Sequence, residues 1–121
     1  MSTYIFDEII NNKNNGSYFS QFEKLFFKRL KKLWDEFRGI PQEAGLPFAP
    51  KYPIIYRDEA DRPQPRKDRD AEKAMAVVVG RLRKCNVFHI RFIGLHHNTV
   101  RGAAGGAILT AELLKYKGYL M

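Results

Sequence analysis

Apolar residues recur at helical spacing between residues 20 and 37 and form one face of a predicted helix. Ser20 and Glu23 have the spacing of a capping box, which predicts that the helix begins at Ser20. This helix is expected to pack on the protein's own core, with a membrane surface or a partner groove as the alternative. The apolar face comprises Phe22, Leu25, Phe26, Leu30, Leu33, Trp34 and Phe37, and the lysines lying largely opposite are Lys24, Lys28, Lys31 and Lys32.

Prolines and charged residues dominate the middle of the chain. Four prolines predict that residues 38–53 form an extended loop rather than a helix, and Ile54–Tyr56 is predicted to form a short strand. Residues 58–73 are rich in charge and predict a loop that is solvated or lies at an interface. Its arginines could hold an anion, although pairing with neighbouring aspartates is the simpler interpretation. The residues in question are Arg62, Arg66 and Arg69, with Asp61, Asp68 and Asp70.

Two β-prone runs, Ala74–Leu82 and Val87–Leu95, follow with a short basic turn between them. This pattern predicts an antiparallel hairpin, with Arg81 and Arg83 on one face of its first strand. The expected fold class is α+β. A hairpin within a partial mixed sheet would be flanked by an N-terminal amphipathic helix and by a C-terminal helix from about Thr99 to Tyr116.

The C-terminal helix is predicted to begin with small residues, after a polar turn. Gly105 and Gly106 each cost roughly 1 kcal/mol relative to alanine in a helix interior. Such a stretch allows another helix or a sheet to pack closely. It equally allows an anionic or amide-bearing ligand to approach the helix N-terminus. Both interpretations are open at this point.

Composition narrows the functional classes. The 121 residues suit one domain or a piece of a larger one, and 45% hydrophobic content is sufficient for a core. The net charge of +8 is dispersed rather than gathered in one stripe, so no nucleic-acid partner is expected. A single cysteine excludes an internal disulfide, and no apolar run approaches the ~20 residues of a membrane span. A cytoplasmic protein without a membrane partner is expected.

The cysteine and the adjacent histidines do not form a predicted catalytic or metal site. Cys85 falls in a hairpin turn that offers no pocket, so a structural or incidental role is favoured. His96 and His97 point to opposite sides of an extended segment and cannot easily chelate one ion. We expect instead that one imidazole is a hydrogen-bond partner within the turn.

Three segments in order, Ile54–Asp70, Met75–Arg83 and His97–Ala104, resemble the C-terminal end of aspartate-semialdehyde dehydrogenase of the archaeal and fungal type. Phe37–Lys51 is similar to the linker that precedes these motifs. The resemblance implies a C-terminal fragment with three parts. Residues 1–33 lie outside the family, residues 34–95 end the dimerisation domain, and residues 96–121 form a helix that packs on the nucleotide-binding domain.

The resemblance also implies an activity for the complete protein. The family reduces L-aspartyl-4-phosphate with NADPH in amino-acid biosynthesis, through a cysteine thiolate and a histidine base that lie upstream of the matched motifs. The chain would therefore be inactive alone, and its partner would be a second copy or the missing N-terminal portion. Malonyl-CoA reductase, which shares this end of the chain, is the alternative for the substrate. A non-enzymatic interaction module is the alternative in kind.

Asn98 carries the one site expectation that the resemblance supplies. The family's asparagine at this position approaches the nicotinamide end of the cofactor, so Asn98, Thr99 and Gly102 are implied as NADP-binding in the complete protein. From the residues alone, Asn98 could equally be a helix N-cap. The chain departs from the family at His96, where serine or glycine is usual, and at residues 72–74, where the family is glycine-rich.

Overall fold

The computed structural model describes residues 16–121, with side chains from residue 21 onward. Helix α1 spans Gly16–Glu36. Ser20 lies inside this helix, so the prediction that it caps the helix start is wrong. Residues 1–15 of the predicted non-family segment lie outside the described residues. The predicted boundary between residues 33 and 34 falls within α1, which is one continuous helix.

The proline-rich and charged stretches contain short helical turns. Helix α2 spans Ile40–Glu43, so the prediction of an extended loop is wrong over these four residues. Pro41 lies in the first turn, where a helix needs no N–H donor. The Gln42 side chain accepts a hydrogen bond from the Gly39 N–H at 3.0 Å and closes this turn. Helices α3, Pro65–Asp68, and α4, Ala71–Ala74, interrupt the charged loop.

A three-stranded mixed sheet forms the centre of the fold. Strands β1, Ile54–Arg57, β2, Val77–Lys84, and β3, Ile90–Leu95, lie in the order β1-β2-β3. Strand β1 pairs parallel with β2, and β2 pairs antiparallel with β3. The α+β class and the predicted antiparallel hairpin are therefore confirmed, although both strands begin three residues later than predicted, at Val77 and Ile90. The core lies along β2 and the turn before it, at Ala74, Met75, Ala76, Val78 and Val79.

A bulge in β2 interrupts the alternation of side chains along the strand. The register shifts between Gly80 and Arg83, and Arg81 adopts a φ of 54°. The prediction that Arg81 and Arg83 share one face of the strand rests on strict alternation of side chains. This alternation does not hold across the bulge. Gly80 also admits the backbone of the charged loop, because a Cβ there would lie 2.7 Å from the Arg62 carbonyl oxygen.

Helix α1 packs against strands β1 and β3 of the sheet through Trp34. The indole stacks on the Tyr56 ring at 5.9 Å between centroids and meets the Phe92 ring at 5.0 Å. The Tyr56 N–H donates to the Asp35 carboxylate at 2.8 Å, and Lys31 donates to Asp58 at 2.6 Å. The predicted packing of the helix on the rest of the chain is therefore confirmed at Trp34, whereas Leu25, Leu33 and Phe37 of the predicted apolar face are exposed. Among the described residues, no helix is both long and apolar enough to cross a membrane.

Residues 72–74, within α4, take a left-handed backbone conformation. The φ angles of Glu72, Lys73 and Ala74 are 53°, 57° and 65°. Glycine adopts this conformation without the clash that a Cβ causes. This is a physical reason for the glycine-rich sequence that the resembled family has at residues 72–74. The Glu72 carboxylate compensates in part, because it accepts a hydrogen bond from the Lys51 N–H at 2.8 Å.

Candidate functional site

The polar turn after β3 continues into a wide helical turn. Residues Val100–Ala104 form a π-helix, which leads directly into α5, Gly105–Tyr116. The Gly102 N–H donates to the His97 carbonyl at 3.1 Å, and the Ala104 N–H donates to the Thr99 carbonyl at 2.9 Å. The span agrees with the predicted C-terminal helix. The π geometry was not predicted, and such turns occur frequently at functional sites.

The His97 imidazole closes the start of this π-turn. The Val100 N–H donates to His97 Nδ1 at 3.2 Å, and the Thr99 hydroxyl lies 3.2 Å from the same nitrogen. The expectation that one imidazole is a hydrogen-bond partner in the turn is thus confirmed. Thr99 occupies the N-cap position without a side-chain capping bond. The alternative in which Asn98 is the N-cap is therefore wrong.

The glycines after the turn provide space for packing. Gly105 is buried, and a Cβ there would collide with the Met75 sulfur and lie 2.8 Å from the Val100 carbonyl oxygen. A Cβ on Gly106 would lie 2.7 Å from the Arg101 carbonyl oxygen. The Met75 contact favours the packing interpretation over ligand approach for Gly105, whereas the neighbour of Gly106 is the carbonyl of its own helical turn.

Gly102, the third residue implied as cofactor-binding, is exposed and lies beside a histidine ring. A Cβ there would lie 3.3 Å from His96 Cε1. The space above Gly102 is thus partly taken by the His96 side chain. Asn98 and Thr99 are exposed and leave their side chains on the surface of the turn.

A cavity of about 330 Å³ joins this turn to the charged loop. Arg69 of the charged loop lines this cavity and pairs with its neighbour Asp70 at 3.3 Å. The cavity brings together residues of the charged loop and residues of the Asn98 turn, which lie in two separate sequence motifs. No sequence pattern indicated that they would be close. The lining residues are Pro65, Arg69, Leu95, His96, His97, Asn98 and Thr99.

Asp68 fixes the part of the charged loop that forms the cavity wall. Its carboxylate is 1% exposed and accepts hydrogen bonds from Arg62 Nε at 2.7 Å, from Arg62 Nη2 and from the Gln64 N–H at 2.7 Å. The hydrogen bonds from Arg62 hold the pKa of Asp68 below its ordinary value. The predicted pairing of the loop arginines with aspartates is confirmed for Arg62 with Asp68 and for Arg69 with Asp70.

Two partners of these aspartates were not predicted. Lys67 donates to Asp61 at 2.5 Å, and this hydrogen bond lowers the pKa of the Asp61 carboxyl. Arg57 Nε lies 3.7 Å from Asp68, within ion-pair distance, but makes no hydrogen bond to the described part of the chain. The arginine comes from β1, and only the folded arrangement of strand and loop brings it near Asp68.

Cys85 lies in the hairpin turn between β2 and β3, as predicted. The Phe88 N–H donates to its sulfur at 3.4 Å, and backbone N–H groups of Phe88 and Val87 lower the pKa of the thiol. The neighbouring Val87 and Phe88 side chains are largely exposed, so the turn forms no enclosed pocket. Within residues 16–121, no cluster of three or more histidine, cysteine or acidic side chains has an arrangement that would hold a metal ion.

Comparison with known families decides the identity of this fold. The family described as semialdehyde dehydrogenase, dimerisation domain, matches residues 25–101. The chain belongs to this family. The match begins within α1 and ends within the π-turn, whereas we expected the dimerisation domain to cover residues 34–95. It therefore includes the whole sheet, the charged loop and Asn98.

Curated relatives of the semialdehyde dehydrogenase domain match over most of this chain. It is 53% identical over 87 residues to an aspartate-semialdehyde dehydrogenase of Methanothermobacter thermautotrophicus, covering 70% of this chain and 25% of the relative. It is 50% identical over 95 residues to a malonyl CoA reductase (NADP) of Metallosphaera sedula, covering 77% and 27%. The chain thus spans about a quarter of the length of these relatives.

A solved structure shares the fold. The aspartate-semialdehyde dehydrogenase of Candida albicans, crystallised with NADP, aligns with a TM-score of 0.68 and 39% sequence identity. The alignment covers 77% of this chain and 26% of the Candida chain. The mixed sheet and its flanking helices are therefore those of the semialdehyde dehydrogenase dimerisation domain.

Proposed function

We propose that this chain supplies the end of the dimerisation domain and the NADP-facing turn of an aspartate-semialdehyde dehydrogenase. The observation that carries the proposal is the family match over residues 25–101, which includes both the sheet and the Asn98 turn. In the complete enzyme, the reaction would be the NADPH-dependent reduction of L-aspartyl-4-phosphate to L-aspartate-4-semialdehyde. Identity of 53% to the Methanothermobacter enzyme supports this substrate.

The turn has the chemistry that a nicotinamide cofactor needs. Asn98 and Thr99 are exposed at the edge of the cavity, with Arg69 beside them. The Asn98 amide can donate and accept hydrogen bonds at once, as binding to a carboxamide requires. NADPH would supply the hydride when bound, while Asn98 and Thr99 would orient its nicotinamide end. Gly102 has no side chain, so it would keep the turn beside Asn98 and Thr99 small.

The remaining machinery must come from elsewhere in the enzyme. The only cysteine, Cys85, lies in an open hairpin turn and does not line the cavity at Asn98. We therefore propose that the chain alone has no dehydrogenase activity. Its partners would be a second copy, joined through the dimerisation domain, or the N-terminal portion that carries the nucleotide-binding fold and the catalytic cysteine.

A hybrid enzyme tests the proposal. Residues 34–120 of this chain replace the matching segment of the Methanothermobacter enzyme, and activity is assayed with NADP, phosphate and aspartate semialdehyde. We expect turnover by the hybrid and none by the 121-residue chain alone. In the matched control, Cys85→Ser should leave the hybrid active, because the relative supplies the nucleophile. A folded but inactive hybrid, or turnover by the chain alone that Cys85→Ser abolishes, would contradict the proposal.

Malonyl-CoA reductase remains the second candidate, because the Metallosphaera enzyme is 50% identical over 95 residues. The same segment is therefore also exchanged into that enzyme and assayed with malonyl-CoA and NADPH. Activity in the aspartate-semialdehyde dehydrogenase hybrid only supports the first candidate. Activity in the malonyl-CoA reductase hybrid only supports the second. Activity in both hybrids would show that the substrate is selected by residues outside this segment.

A further inference from the structure

We propose that His97 is a positioning residue, whose imidazole holds Asn98 and Thr99 in the geometry that faces the cofactor. The inference rests on the proposed function for the identity of the ligand. Its structural part stands on the hydrogen bonds of the turn. No role for His97 beyond a hydrogen-bond partner was expected from the sequence.

Both the backbone and the side chain of His97 bracket the Asn98–Thr99 segment. The carbonyl oxygen accepts the Gly102 N–H at 3.1 Å, and Nδ1 accepts the Val100 N–H at 3.2 Å. In the sequence, Asn98 and Thr99 lie between His97 and Val100, whose N–H group the imidazole binds. Their backbone is thereby fixed at both ends, although their own side chains are exposed. A side chain that faces a ligand gains affinity when its backbone is held in the bound geometry beforehand.

The hydrogen bond also fixes the chemical form of the ring. A backbone N–H can only donate, so Nδ1 must carry no proton, and in the neutral ring the proton lies on Nε2. The acceptor atom is bonded to Cγ. Asparagine presents its amide oxygen on the same atom, whereas glutamine presents it one bond further out. In His97→Asn the amide oxygen can therefore accept the Val100 N–H from the same position. In His97→Gln and His97→Ala no acceptor lies at that position.

Nuclear magnetic resonance of the 121-residue chain tests the structural part. In the unaltered chain, the ring ¹⁵N shifts should identify Nδ1 as the nitrogen without a proton. Exchange of the Val100 amide hydrogen should be roughly five-fold faster in His97→Gln and His97→Ala, and near the original rate in His97→Asn. Equal exchange rates in all four proteins, or a proton on Nδ1, would overturn the proposal.

The hybrid enzyme tests the link to the cofactor. His97→Gln should raise the KM for NADP about ten-fold and leave kcat nearly unchanged, and His97→Asn should restore the original KM. A KM unchanged in both variants would refute the positioning role. Loss of kcat in both would also refute it, because a general structural defect would then explain the effect. If the unaltered hybrid is inactive, the proposed function fails, and amide exchange alone decides whether His97 holds the turn.

Discussion

Arg62 donates two hydrogen bonds to the buried carboxylate of Asp68 and so closes the charged loop on itself. The Arg62 side chain is itself only 15% exposed. Removing one partner of such a pair leaves the other charge buried and uncompensated. Asp68→Asn should therefore lower the free energy of unfolding by about 3 kcal/mol, measured by urea denaturation. Asp70→Asn is the matched control: its pair with Arg69 is exposed, so its effect should stay within about 1 kcal/mol.

The same pair predicts how stability depends on pH. The pKa of Asp68 is lowered in the folded chain from its ordinary value of 3.8, because Arg62 hydrogen-bonds the charged form. Its stabilisation is thus present above the unfolded pKa and is lost as pH falls through the folded pKa. The difference in unfolding free energy between the original chain and Asp68→Asn should be constant from about pH 7 to 5 and shrink below about pH 4. A difference that grows in acid would show that another group is responsible.

The elements of the fold follow from local patterns, whereas the site depends on contacts that these patterns do not contain. Valine-rich runs around a basic turn predict the hairpin, because alternation and β-propensity are local properties. The cavity between Arg69 and Asn98 arises only when β2 and β3 bring the charged loop beside the last turn. Likewise, proline spacing could not show that Pro41 would begin a helical turn, since proline suits both a loop and a first turn.

The left-handed segment predicts that glycine is favourable at position 73. Lys73 is exposed and has a φ of 57°, a conformation that costs a residue with a Cβ roughly 1–2 kcal/mol. Glycine removes this cost but adds conformational freedom to the unfolded chain. Lys73→Gly should therefore raise the free energy of unfolding by about 0.5–1 kcal/mol. Thermal and urea unfolding would measure it.

Lys115→Gly provides the control for that substitution, because Lys115 is exposed near the end of α5. Glycine in a right-handed helix should lower stability by up to about 1 kcal/mol. Opposite signs for the two lysine substitutions are expected. A loss of stability in both would mean that Lys73 is not strained.

Gly105, at the start of α5, should tolerate alanine much less well than Gly102 in the π-turn. Gly105 is buried against the sulfur of Met75, which is itself buried, and against the backbone carbonyl of Val100. Gly105→Ala should lower the free energy of unfolding by about 2–3 kcal/mol, because added bulk in a packed site forces the backbone apart. The Cβ of Gly102→Ala meets the exposed His96 ring most closely and the His97 carbonyl at 3.8 Å, an ordinary contact, so its cost should stay below about 1 kcal/mol. Similar losses in both would refute the assigned packing of Gly105.

Substitution of Asn98 should change the affinity for the cofactor without changing the stability of the chain. The Val100 N–H at the start of the π-turn is bound by His97 and not by Asn98, so Asn98→Ala should leave the thermal midpoint of the 121-residue chain within about 2 °C of the original. In the hybrid enzyme, the same substitution should weaken NADP binding by roughly 1–3 kcal/mol, through one or two lost hydrogen bonds. Titration of NADP into the hybrid and a thermal scan of the chain measure the two quantities. An unchanged NADP dissociation constant would remove Asn98 from the proposed cofactor contacts, and a lowered midpoint would restore a structural role that the hydrogen bonds of the turn assign to His97.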